Sequence, residues 1–191
     1  MELLKHEIEK YTQLSLNSEW EEFSSKLTLS TASKREIIFR QTEICNEVIY
    51  ILKGIAASEY NIEDKLIITR FFQERNLCSN MVSAASKTIQ SDNVIAITDV
   101  EYITLPFDYF MNIYLHSDTI GVFLRKKILQ HLIEAKNFIS IKTSADTEVQ
   151  YAFLEKDYPE IIRKTASKYI AAFIGITPEA LSRFLKQRHS S

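Results

Sequence analysis

The chain has 191 residues, 46% of them apolar, and a formal net charge of −2, which allows one large domain or two modest ones around a real hydrophobic core. Its longest apolar runs, such as Val48 to Leu52, are too short to span a bilayer, and Glu2, Lys5 and Glu7 leave no signal-peptide core. A cytoplasmic protein with no membrane partner is therefore expected. Two cysteines, Cys45 and Cys78, are too few for a thiolate-held cluster, and His6, His116, His131 and His189 show no ligand spacing, so no metal and no cofactor is expected. The sequence lacks a phosphate-cradling glycine loop, a nucleophile elbow and a spaced carboxylate pair, which argues against an enzyme.

Residues 3–29 read as helical, with Leu14, Leu16, Trp20, Phe23 and Leu27 as inward anchors. Short β-rich runs follow at Glu36 to Arg40, Val48 to Leu52, Ile55 to Tyr60, Leu66 to Phe72, Val94 to Ile97 and Glu101 to Leu105. Turn-like residues at Gly54, 61–64, 74–76, 91–93 and Asp99 separate them, a pattern that predicts a compact antiparallel roll or barrel. With only three glycines in the chain, Asn and Asp are expected to carry several of the tight turns.

Pro106 closes the β region. Beyond it the chain reads as helical to about Ile141, with a break near residues 116–118. Gly121, Leu124, Ile128, His131, Ala135 and Phe138 recur in steps of three and four, a heptad seam that would pair two helices. Ile120, Phe123, Leu132 and Ile139 form a second apolar row, assigned to packing on the chain's own β region. The competing reading is one broad amphipathic core helix. Residues 142–147 form a polar break in which Ser144 or Asp146 can cap the next helix. That helix runs through Val149, Ala152, Phe153 and Leu154 to about Asp157, and Tyr158-Pro159-Glu160 interrupts it.

The last segment reads as two short helices around a glycine turn. Ile170, Phe173 and Ile174 give the first an apolar stripe, and Gly175 supplies the positive φ that ends it. Thr177 is a good N-cap, Pro178 a good first helical residue and Glu179 a favourable first-turn charge. Leu181, Phe184 and Leu185 form the inner face of the second helix, leaving Glu179, Ser182, Arg183 and Lys186 outside. This is the pattern of a DNA-binding helix-turn-helix. From Ile161 onward Arg163, Lys164, Lys168, Arg183, Lys186 and Arg188 face the single acid Glu179, so a basic end sits on an acidic body, as when one part of a chain meets nucleic acid.

The order of parts resembles the cyclic-AMP receptor protein/fumarate–nitrate regulator (Crp/Fnr) superfamily of bacterial transcription factors. The resemblance runs from about Ser15 to the end. It rests on Ile174-Gly175-Ile176-Thr177-Pro178-Glu179 followed by Leu181-Ser182-Arg183, on Tyr151-Ala152-Phe153-Leu154 with Tyr158-Pro159, and on Glu47 to Gly54 as a strand-turn motif. It implies an α+β fold: an N-terminal antiparallel β-roll of the cyclic-nucleotide-binding type (1–107), a long dimerisation helix (108–142) and a C-terminal helix-turn-helix domain (143–191). It also implies a homodimer on a roughly two-fold symmetric operator, with DNA contacts from Thr177, Glu179, Ser182, Arg183, Lys186 and Lys168 and a dimer seam of Leu124, Ile128, His131, Ala135 and Phe138.

Two departures from the family pattern matter. Pro178 stands where better-known members carry an arginine, so base reading centres on Arg183, by a bidentate pair with guanine worth ~1–3 kcal/mol or else by a phosphate contact. Glu179 would accept from a cytosine amino group or hold Arg183 in its working rotamer. The effector positions of cyclic-AMP-binding members fall on Ser79, Asn80, Gln90 and Ser91, so the phosphate-holding arginine has become Gln90. Burying a phosphate without a cation is costly, which disfavours a cyclic nucleotide and leaves another small effector, or none, open. The sequence runs only to Ser191, with no room for the β-hairpin wing of many members, so a small footprint with shallow salt dependence is expected. A degenerate helix-turn-helix serving ligand sensing or protein interaction is the alternative function.

Overall fold

The computed structural model describes the whole chain except residues 17, 64, 90, 91, 145, 190 and 191 and the side chains of Ser18 and His189. Among the described residues, two N-terminal helices, α1 (Glu2–Thr12) and α2 (Ser18–Ser25), precede eight strands. These are β1 (Thr28–Ala32), β2 (Ile37–Phe39), β3 (Glu47–Lys53), β4 (Ala56–Ile62), β5 (Lys65–Phe72), β6 (Leu77–Cys78), β7 (Asn93–Ala96) and β8 (Val100–Pro106), with α3 (Met81–Ser86) between β6 and β7. They form two antiparallel four-stranded sheets, ordered β1-β8-β3-β6 and β2-β7-β4-β5. The fold class is the α+β one expected, with a β-roll, a long helix and C-terminal helices.

The strand patterns follow from which faces are covered. In β3, Val48, Ile49, Tyr50 and Ile51 are all buried, because the two faces of its sheet meet different cores. Val48 and Tyr50 pack with α1 and α2 residues such as Ile8 and Phe23, while Ile49 and Ile51 fill the space between the sheets with Phe72, Val94 and Val100. A continuous apolar run is what a strand buried on both sides requires. The outer face of the second sheet, including Ile68, Phe71 and Ile95, belongs to a third core shared with the C-terminal helices.

Several turns differ from expectation. The positive-φ residues other than glycine are Gln13, Arg35, Glu63, Arg75 and Lys87, so among the described residues the left-handed turns fall on long polar side chains and not on Asn or Asp. Gly54 has φ 96°, and a Cβ there would overlap the Asp99 carbonyl oxygen. Both conformation and space demand glycine at that β3–β4 turn.

After β8, α4 (Phe107–His116) and α5 (Ile120–Lys142) pack on the first sheet, and α5 continues until Phe138 joins the third core. The C-terminal helices are α6 (Thr147–Asp157), α7 (Pro159–Lys164), α8 (Ser167–Ile174) and α9 (Pro178–His189). Asp146 caps α6, its carboxylate accepting from the N–H groups of Glu148 at 2.8 Å and Val149 at 3.4 Å. None of the described helices is long and apolar enough to cross a membrane.

Candidate nucleic-acid interface and effector cleft

The α8–turn–α9 unit is held together from inside. Helix α8 buries Tyr169, Ile170, Phe173 and Ile174, and Gly175 (φ 88°) ends it, the N–H groups of Gly175 and Ile176 both donating to the Ala171 carbonyl at 2.8 and 3.0 Å. The Thr177 hydroxyl oxygen then accepts from the Ala180 N–H at 3.2 Å, an N-cap that satisfies one of the open donors of α9. Leu181 is 1% exposed, with Phe184 and Leu185 packed beside it. Thr177, Glu179, Ser182, Arg183 and Lys186 all lie on the exposed side.

Two electrostatic details refine this face. The Glu179 carboxyl is held below its ordinary pKa by hydrogen bonds to its own backbone N–H and to the Thr177 hydroxyl, with nearby Arg183 a smaller contribution. Glu179 therefore belongs to the start of the helix more than to Arg183. The basic end is also less bare than its sequence. Arg163 and Lys164 pair with Glu160 at 2.5 and 2.8 Å, and Arg188 pairs with Glu148 and bidentately with Glu155 at 2.8–3.0 Å while covering the Tyr151 ring. Lys168 is exposed and lies 4.5 Å from the centroid of the Tyr169 ring.

The residues of the expected dimer seam pack on the chain's own body. Leu124 is 4% exposed in the core beneath the first sheet and Ile128 packs beside it. Phe138 is 1% exposed in the core shared with α8. The His131 Nδ1–H donates to the Leu77 carbonyl at 3.2 Å, which leaves Nε2 to accept from Arg70 at 3.0 Å. Ala135 lines a cleft against the roll. The open side of α5 carries Val122, Leu129, Leu132, Ile133 and Ile139. Of the second row, Ile120 and Phe123 are buried on the chain's own body as expected, but Leu132 and Ile139 are 59% and 65% exposed. Both rows recur in steps of three and four, so periodicity identifies stripes without saying which one the rest of the chain covers.

A cleft of about 310 Å³ opens between the roll and α5, lined by Arg70, Ser79, Asn80, Asp92, His131 and Phe138 among others. Two of the four expected effector residues are there, with local partners. Ser79 donates to the Glu47 carbonyl at 2.8 Å. Asn80 caps α3 by accepting from the Ser83 N–H at 3.2 Å and donates to Asp92 at 3.2 Å. Gln90 and Ser91 lie outside the described residues.

The residue that sequence reasoning missed is Arg70. It is 8% exposed, bonded to His131 and, at 3.1 Å, to Glu134, with its guanidinium 4.8 Å from the Phe72 ring centroid. A charge between Thr69 and Phe71 in a largely apolar strand is the available signal. Burial and the adjacent Arg70 charge hold the His131 pKa down at about 4, against the ordinary 6.5, so the imidazole is neutral at pH 7.

The roll, the long helix and the C-terminal two-helix unit follow one another in the order that the sequence resemblance implies. No protein-family model and no curated protein sequence matches the chain. Among solved structures it is similar to a cyclic nucleotide-binding domain containing protein from Listeria monocytogenes, with TM-score 0.70 at 15% identity, covering 95% of this chain and 88% of that one. A transcriptional regulator described as of the Crp/Fnr family from Eubacterium rectale matches with TM-score 0.67 at 16% identity over 92% and 84%. The c-di-GMP responsive global regulator CLP of Xanthomonas campestris matches with TM-score 0.66 at 14% identity over 89% and 90%. At such identities the likeness is one of fold.

Proposed function

We propose that this chain is a transcription regulator that reads DNA as a homodimer. The observation that carries the reading is the α8–turn–α9 unit, whose apolar side is fully engaged while Ser182, Arg183 and Lys186 stand on its exposed side. Arg183 is the base reader, Lys168 and Lys186 are phosphate contacts, and Thr177 and Glu179 hold the start of the reading helix. Pairing runs along the open face of α5, where Val122, Leu129, Leu132 and Ile139 fall on the a and d positions of a heptad repeat. Two α9 helices then enter successive major grooves roughly 34 Å apart on a nearly palindromic operator.

The cleft between roll and α5 is the place for a small effector. A cyclic nucleotide is disfavoured: Arg70, a cation lining the cleft, is already committed to Glu134 and His131, and Asp92 adds a negative charge to the wall. CLP responds to c-di-GMP, and the same architecture here serves a ligand of different charge. A second reading, a helix-turn-helix that mediates protein contacts, draws support from the neutralisation of Arg163, Lys164 and Arg188 by the chain's own acids.

Selection from a random duplex pool followed by mobility-shift titration across salt concentrations separates the two. A selected palindrome that Arg183→Ala binds at least about tenfold more weakly supports the regulator. The absence of any enriched sequence and of any shift above non-specific competitor refutes it and leaves the interaction module.

A further inference from the structure

Three elements meet where the long helix ends. Lys142 is the last residue of α5. Its ammonium donates to the carbonyl of Ile68 on β5 at 2.9 Å and to that of Phe173 near the end of α8 at 2.7 Å, and it lies 4.9 Å from the Phe173 ring centroid. Lys65, at the start of β5, donates to the Gly175 carbonyl at 3.4 Å. The last carbonyls of a helix lack partners within it and carry partial negative charge. At α8 the partners come from outside the helix-turn-helix, one from the long helix and one from the roll.

Apolar contacts close around the same point. The Phe173 ring meets Phe71 of β5 and Phe138 of α5 with centroids 5.6 Å away in both pairs. Lys142 makes no ion pair among the described residues; carbonyls and a ring face hold its charge. Burial and the neighbouring Lys65 lower its pKa. A half-buried ammonium held this way is a costly arrangement for general stability, because a methionine of similar length would bury the same stem without desolvating a charge. Its specific product is direction, since two carbonyls on different elements fix one relative placement.

We propose that Lys142 is a positioning residue that locks the first helix of the helix-turn-helix against β5 and thereby sets the angle at which α9 is presented. The proposal rests on the DNA-reading function for its purpose but not for its geometry. The gripped strand also carries Arg70 and Phe72, and Phe138 both lines the cleft and touches Phe173. Occupancy of the cleft therefore bears on the same lock.

The test reads orientation directly. Spin labels are placed on Lys53→Cys in the roll and Ser182→Cys on α9, and labelled protein is diluted into unlabelled so that only the intrachain distance is seen. Cys45 and Cys78 are buried and take no label. Lys142→Met is expected to keep its helical circular dichroism while the distance distribution widens, and Lys142→Arg, which keeps the donors, is expected to restore most of the narrow one. On the selected operator, Lys142→Met should lose about tenfold of the preference for the native half-site spacing. If Lys142→Met fails to fold, Lys142→Gln, which is uncharged and shorter, carries the test, with a similar widening expected. An unchanged narrow distribution in the variant that folds overturns the proposal. If the wild type binds no DNA but Lys142→Met still widens the distribution, the lock stands and the regulator reading falls.

Discussion

Phe138 and Leu132 lie six residues apart on one helix, and exchanging each for alanine should have opposite consequences. Phe138 is 1% exposed and its ring meets Phe153, Tyr158 and Phe173 at centroid distances of 5.6, 4.9 and 5.6 Å. Truncating such a side chain removes its transfer free energy and leaves a cavity, at about 3–5 kcal/mol. Each of the three ring pairs adds ~0.5–1.5 kcal/mol beyond area, which places Phe138→Ala near the top of that range, at about 4–5 kcal/mol. With a urea slope of about 2–3 kcal/mol/M, the midpoint falls by roughly 1.3–2.5 M. Leu132 is 59% exposed, so Leu132→Ala should change the intrinsic stability of the fold by no more than about 0.5 kcal/mol while weakening self-association. The assay is urea denaturation at two protein concentrations tenfold apart, paired with sedimentation equilibrium. The reasoning is refuted if Phe138→Ala costs less than about 1 kcal/mol or acts chiefly through a concentration-dependent step.

Other outcomes follow from single contacts. The pKa of His131 is about 4 folded and 6.5 ordinarily, so the unfolded chain takes up a proton that the folded one refuses. Its stability contribution is whole above about pH 6.5 and is lost as the pH falls towards 4, by about 2–3 kcal/mol. Urea midpoints from pH 4 to 7.5 should therefore slope less steeply in His131→Gln, and equal slopes would contradict the assignment. Gly54→Ala meets the Asp99 carbonyl, whereas Gly175→Ala meets nothing within 4 Å. The second should cost about 1–2 kcal/mol for its positive φ and the first clearly more, as thermal melts would show; equal losses would sink the steric argument. Because Arg188 is already neutralised by Glu148 and Glu155, Arg188→Gln should leave the salt slope of DNA binding unchanged. Lys168→Gln should lower that slope by about 0.9, and a lower slope in Arg188→Gln would show that DNA draws the arginine away.

Where local chemistry forces local structure, the elements were legible. The Thr177-Pro178-Glu179 start and the Gly175 stop are backbone requirements with specific residue solutions, and they appear as read. Other elements were not legible. The helical reading of residues 3–29 overlaps strand β1, because Thr28 to Ala32 carries no apolar alternation of its own and is a strand by virtue of pairing with β8. Strand β6 has two residues, too few for any period. The resemblance points Asn80 at an effector, whereas its side chain closes the first turn of helix α3.

Ser79 and Asn80, named by the resemblance, line the cleft between the roll and α5, and Arg70 reaches the same wall from a strand in the other sheet, a meeting that no local pattern states.

Local interactions specify the kinds of parts and their order: a β-rich body, a long helix and a capped two-helix unit with Arg183 outside. Those follow from interactions within a few residues, which a linear chain states openly. Long-range packing selects which stripe of α5 is buried, which basic residues are neutralised and where the two-helix unit docks. Leu124 and Phe138 are interior because sheets tens of residues away arrive to cover them, and Lys142 finds its carbonyls on β5 and α8 for the same reason. Such pairings join groups far apart in the chain, and composition and spacing carry no record of them.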